Sequence, residues 1–150
     1  MKIFHGGFCS VEIPIIKKSK YPKDFGCGFY CTEFQVQAER WAMKHATPTV
    51  SVFKDDDFDG LNLHSFSEMS DEWLDFIANC RNGSEHDYDI VIGSMANDQV
   101  WNYVADYLQG TITREQFWVL AKFKHPTHQI AFCTEKALEK LKYIESYEVR

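Results

Sequence analysis

The stretch KDFGCGFYCTEFQVQAERWAMKH, residues 23–45, joins two glycines one residue apart to an aromatic pair, and the pair to a periodic run. Gly26 and Gly28 permit a tight turn or a close backbone approach to a ligand. A short extended segment through Phe29 and Tyr30 follows. Beyond it, Phe34, Ala38, Trp41 and Ala42 fit one face of a helix over 33–45, with Thr32 placed to cap its start. Turn, strand and helix in such quick succession point to a mixed fold with short elements.

Working outward, KIFHGG (2–7) reads as a strand ending in a Gly6-Gly7 corner, which sets His5 at a strand's end, where a scaffold holds functional side chains. VEIPII (11–16) reads as a second extended run, made peripheral by Pro14. Downstream, TVSVFKDD (49–56) alternates like a strand and LNLHSF (61–66) suggests another, with DDDFDG between them as a polar hairpin end. SDEWLDFIANCRNG reads as a helix capped by Ser70, with Trp73, Leu74, Ile77 and Ala78 inward and Gly83 past its last turn. YDIVIG (88–93) is a short apolar strand. ANDQVWNYVADYLQG closes as a helix at Gly110 with Val100, Trp101, Val104 and Leu108 on one side, and TREQFWVLAKF carries Phe117, Leu120 and Ala121 as its stripe. HQIAFCT is a late strand, EKALEKL a short helix and YIESYEV an extended tail. Strands and helices mix without the regular alternation of a doubly wound sheet, so the expectation is an α+β fold in one domain over 1–150.

With 45% hydrophobic and 25% charged residues, the composition is that of a folded globular chain. A net charge of -6 offers no broad footprint for nucleic acid or an anionic membrane. One basic cluster, KKSKYPK (17–23), reads as a solvated loop or as an anion-attracting lip. Five cysteines, Cys9, Cys27, Cys31, Cys80 and Cys133, are an odd number, and neither a signal peptide nor a run of 18 apolar residues is visible, so a reduced, cytoplasmic protein is expected. Asn82-Gly83-Ser84 reads as a turn.

Most chemical motifs fail on inspection. Asp55, Asp57, Asp59 and Gly60 begin like a calcium loop, but the twelfth position falls on Phe66. Cys27 and Cys31 lack the close ligand pairs of structural zinc sites, and no metal is expected. DFGCGF has neither the glycine spacing of a dinucleotide fingerprint nor the Gly-Lys-Ser/Thr of a phosphate loop, and no Gly-x-Ser-x-Gly elbow is present.

Taken together, FHGG (4–7), DFGCGFYCT (24–32) with AERWA (38–42), DYDIVIGSMANDQVW (87–101) and HQIAFCTEKALEKLKYI (128–144) resemble DUF3990, a small bacterial family of uncharacterised domains placed among the ADP-ribosyltransferase-like folds. The likeness runs from about residue 3 to 144. It implies a split core of two small sheets with flanking helices around an NAD cleft. By motif, His5 matches the histidine of the histidine-tyrosine-glutamate arrangement and Tyr30 the tyrosine, while Gln129 stands where the acid is expected.

On that resemblance His5 bonds a ribose hydroxyl with Gly6 allowing close approach, Gly28 shapes the turn, and Tyr30 offers its exposed face to the nicotinamide ring while Phe29 packs into the core. Gln129 keeps an acceptor but no charge. Asp98 is a second source of that charge, equally readable as a helix cap, with Asn97 beside it. The implied activity is mono-ADP-ribosyl transfer from NAD to a protein or nucleic-acid acceptor. The alternatives are a non-catalytic binding module and an NAD glycohydrolase. Related folds further suggest a toxin or defence role with a neutralising partner protein.

Overall fold

The computed structural model describes residues 1–18, 23–96, 98–121 and 127–150, without the side chains of residues 98 and 99. In chain order the elements are β1 (Lys2–Gly7), β2 (Phe29–Cys31), α1 (Gln35–Ala42), β3 (Thr49–Asp55), β4 (Leu63–Ser65), α2 (Asp71–Arg81), β5 (Ile90–Gly93), α3 (Asp98–Leu108), α4 (Arg114–Ala121), β6 (Gln129–Phe132), α5 (Glu135–Leu138) and β7 (Leu141–Glu148). They form a mixed α+β fold with two small sheets flanked by helices.

The β-branched run of β3 lies at the centre of an antiparallel sheet in the order β1-β3-β7. The second sheet runs β2-β6-β5-β4, antiparallel except for the β4–β5 pair. Both inner strands, β5 and β6, are almost wholly buried, which explains their continuous apolar sequences. A backbone bridge stitches the two sheets: Phe4 N–H donates to Thr32 O at 2.8 Å and Thr32 N–H donates to Phe4 O at 2.9 Å. Around Trp73, Phe25 and Phe117 one core joins α2, α3 and α4 to the second sheet. Another, with Ile3, Phe29, Phe53 and Phe132, fills the space between the sheets.

Ser70 caps α2 as its sequence position suggests, its Oγ accepting from Trp73 N–H at 3.2 Å, and Trp73, Leu74, Ile77 and Ala78 all face inward. Four readings change. Thr32 does not cap α1: its Oγ1 accepts from Phe34 N–H two residues on, and Phe34 itself is exposed. Residues 11–16 form no strand, so Pro14 removes the run from the sheets altogether. The DDDFDG turn is not a hairpin end, because β3 and β4 belong to different sheets. Leu120 is exposed, leaving Phe117 and Ala121 as the buried stripe of α4.

Candidate functional site

The bridge between the sheets is what builds the site. By pairing Phe4 with Thr32 it lays the next residue of β1 against β2, and His5 Nδ1 reaches Tyr30 O at 2.7 Å. A carbonyl can only accept, so Nδ1 carries the proton and Nε2 keeps a lone pair for another donor. The imidazole stacks on Phe29, centroid to centroid 4.2 Å at 22°. Burial lowers its pKa below the usual 6.5, the Tyr30 bond acting against this and Lys23 and Lys17 adding to it, so the ring is neutral at pH 7. His5 is therefore a fixed acceptor on a rigid support.

Tyr30 departs from its expected role. Its side chain is buried, only 7% exposed, and belongs to the core. The hydroxyl donates to Gly26 O at 2.6 Å and accepts from Phe25 N–H at 3.0 Å. Gly26 has φ +86°, a left-handed conformation that side chains oppose, and the phenol clamps that turn shut. Burial pushes the phenol's pKa well up, which keeps it a donor. Lys23 Nζ lies 5.2 Å from the ring centroid, so an ammonium, not open solvent, stands over the face expected to receive a ligand ring.

Gly6 and Gly28 both line the cleft, yet the space their missing side chains release is already filled by protein. A Cβ on Gly6 would stand 2.0 Å from Ala38 O in α1, and one on Gly28 would stand 3.0 Å from Phe132 O in β6. The close approach is helix against strand and strand against turn. Phe29 is core, as expected, while also serving as the platform for His5.

Gln129 opens β6 and is 5% exposed. Its Nε2 donates to Asp24 Oδ2 at 3.2 Å, and the same oxygen accepts from Ala96 N–H at 2.8 Å. Arg81 bonds Asp24 Oδ1 through Nε at 2.7 Å and through Nη2, with its guanidinium carbon 3.2 Å from the Trp101 ring centroid. Gln37 of α1 pairs with the backbone of His128, its Nε2 donating to the carbonyl and its Oε1 accepting from N–H at 3.1 Å, which ties α1 to the start of β6.

One recess of about 270 Å³ is lined by His5, Tyr30 and Gln129 together with Asp24, Trp41 and Arg81. A second cavity of about 420 Å³ shares His5, Gly6, Lys23, Tyr30 and His45 with it and runs on past Phe8, Ile15 and Lys17. Its volume lies within the range usual for small-molecule sites. Among the described residues its lining includes Lys17 and Lys23 of the basic cluster and no carboxylate.

Asp24, Arg81 and Trp41 were not anticipated at the site. The signal for Asp24 was present, a charged residue opening the apolar run DFGCGFYC, but its partner Arg81 is remote in sequence. Asn97 lies outside the described residues; Asp98 begins α3, and its side chain is likewise not described. Among the described residues no group of three or more His, Cys, Asp or Glu is placed to hold a metal, and no helix is long and apolar enough to cross a membrane.

A family model described as a protein of unknown function (DUF3990) matches residues 1–143, and the chain belongs to that family. No curated protein and no solved structure matches it.

Proposed function

We propose that this DUF3990 member binds NAD in the two joined cavities and acts as a mono-ADP-ribosyltransferase of ADP-ribosyltransferase-like fold, with a protein or nucleic-acid acceptor. The observation that carries the reading is the convergence of His5, Tyr30 and Gln129, far apart in the chain, on one recess. Neutral His5 offers Nε2 to a ribose hydroxyl. Lys17 and Lys23 suit the pyrophosphate of an anionic dinucleotide, in a cleft that is basic although the chain is acidic. In the reaction the glycosidic C–N bond breaks and nicotinamide leaves with the electron pair. The acceptor's nucleophile bonds the ribose carbon and gives up its proton. The protein's part is to orient the two reactants and to place acceptor groups near the developing positive charge.

The test is incubation of the purified chain with NAD and cell extract. Nicotinamide release and labelling of a macromolecule are expected, and His5→Ala should abolish both. Nicotinamide release with no acceptor labelled would instead indicate NAD hydrolysis, and neither signal would sink the enzymatic reading. A second reading, a non-catalytic nucleotide-binding module, is favoured by one feature: Gln129 carries no charge, and the adjacent Asp24 is ion-paired with Arg81. Calorimetry giving NAD affinity without turnover would select it. A cytoplasmic toxin or defence enzyme held in check by a neutralising partner is the setting we propose for the activity.

A further inference from the structure

The late strand presents an amide to the recess, and a carboxylate of the same lining accepts from its Nε2 at 3.2 Å. Asp24 is only 5% exposed, and a buried ion pair contributes little net stability compared with apolar groups of similar volume, so what this pair supplies to the cleft wall is geometry. Arg81, resting on the Trp101 ring, grips Oδ1 and fixes the carboxylate so that Oδ2 meets Gln129 Nε2 and Ala96 N–H. An ionised carboxylate only accepts hydrogen bonds. It attracts the NH2 end of the glutamine amide and repels the oxygen end, selecting one of two orientations that differ little in shape. Oε1 is then the atom of the amide left for a ligand hydroxyl.

We propose that Asp24 is a positioning residue. By holding Gln129 Nε2, it presents Oε1 as a fixed acceptor for a hydroxyl of the ribose that separates from nicotinamide. Asp24 and Gln129 together then do what a single acid on the late strand would do. The inference rests on the NAD reading above.

The experiment measures NAD affinity by calorimetry and nicotinamide release by chromatography on the full chain. Asp24→Asn should slow nicotinamide release about tenfold or more while NAD affinity stays within about threefold, because the lost interaction matters most as charge develops. The exchange D24N/Q129E moves the charge to the partner 3.2 Å away and should bring release back to within about threefold of wild type. Since Asp24→Asn strands the Arg81 charge and can cost folding, D24N/R81Q is the companion that leaves neither charge unpaired; it should fold and show the same slow release. Wild-type rates in Asp24→Asn or in the companion would overturn the inference alone, as would an exchange that restores the melting temperature without restoring release. A wild-type chain that neither binds NAD nor releases nicotinamide overturns the NAD reading, and this inference with it.

Discussion

Gly6→Ala is the most demanding test of how the cleft is built. An added Cβ would sit 2.0 Å from Ala38 O and 3.0 Å from both Ala38 C and Ala42 N, all of them backbone atoms of α1. No side chain can swing aside, so the helix itself has to retreat until the contact reaches the 3.4 Å at which ordinary van der Waals distances begin. Overpacking of this kind costs about 1–3 kcal/mol, and a backbone obstacle places it at the upper end. For a chain of this size each kcal/mol lowers the melting temperature by about 2–4 °C, so a loss of about 6–12 °C is expected in thermal denaturation followed by circular dichroism. Gly60→Ala is the control: φ is +80° there but nothing lies within 4 Å, which leaves only backbone strain of about 1 kcal/mol. Trp41 near the end of α1, with Lys44 and His45 just beyond, lines the recess, so the displaced helix should weaken NAD binding as well. A Gly6→Ala protein that melts no lower than Gly60→Ala would refute the account of Gly6 as the seat of the helix.

Three further outcomes follow from the same geometry. His5 has a folded pKa below 6.5, so as pH falls through the interval between the two values the unfolded chain takes up a proton that the fold does not; the stabilisation is complete above pH 6.5 and is lost on acidification, with His128, lowered chiefly by burial, acting in the same direction. His5→Gln should accordingly flatten the acid side of a urea-denaturation series from about pH 5 to about pH 7.5, and an unchanged slope would contradict it. Tyr30→Phe strips the Gly26 carbonyl and the Phe25 N–H of their partner and should lower stability by about 1–3 kcal/mol, read from the denaturation midpoint; an unmoved midpoint would mean that the phenol does not hold the turn. Replacing Lys17 and Lys23 together by alanine should weaken NAD binding about tenfold at low salt, with the gap to wild type closing at about 0.5 M salt as screening takes over; a gap independent of salt would argue against a phosphate-facing role.

Local chemistry carried most of the secondary structure. Ser70 before a run with Trp73 and Leu74 states a helix start in physical terms, and Gly83 and Gly110, at φ +91° and +77°, state two helix ends. What local reading missed was decided by partners distant in the chain. Phe34 fits the apolar face of α1 by spacing, but α1 meets β1 through Ala38 and Ala42, close enough that only glycine fits at position 6, and the first turn of the helix is left outside. The two-sheet division likewise depends on Phe4 finding Thr32, a contact with no local signature.

The sequence named residues that line one recess but not how their side chains are turned. His5, Tyr30 and Gln129 meet at one recess, but motif alone gave Tyr30 an exposed face, and a strand's alternation cannot reveal that its hydroxyl would be claimed by Gly26 and Phe25 five and fewer residues upstream. On the proposed NAD reading, the same stretch also supplies the carboxylate that the late strand lacks. In DFGCGFY the tyrosine closes the turn by its hydroxyl, and the closed turn fixes where the aspartate at its other end stands, against Gln129 and Arg81. Tyr30 thus acts on the cleft through Asp24 as much as by facing it. Tyr30→Phe should then disturb nicotinamide release even where NAD still binds, and a Tyr30→Phe protein that turns over at the wild-type rate would uncouple turn from carboxylate.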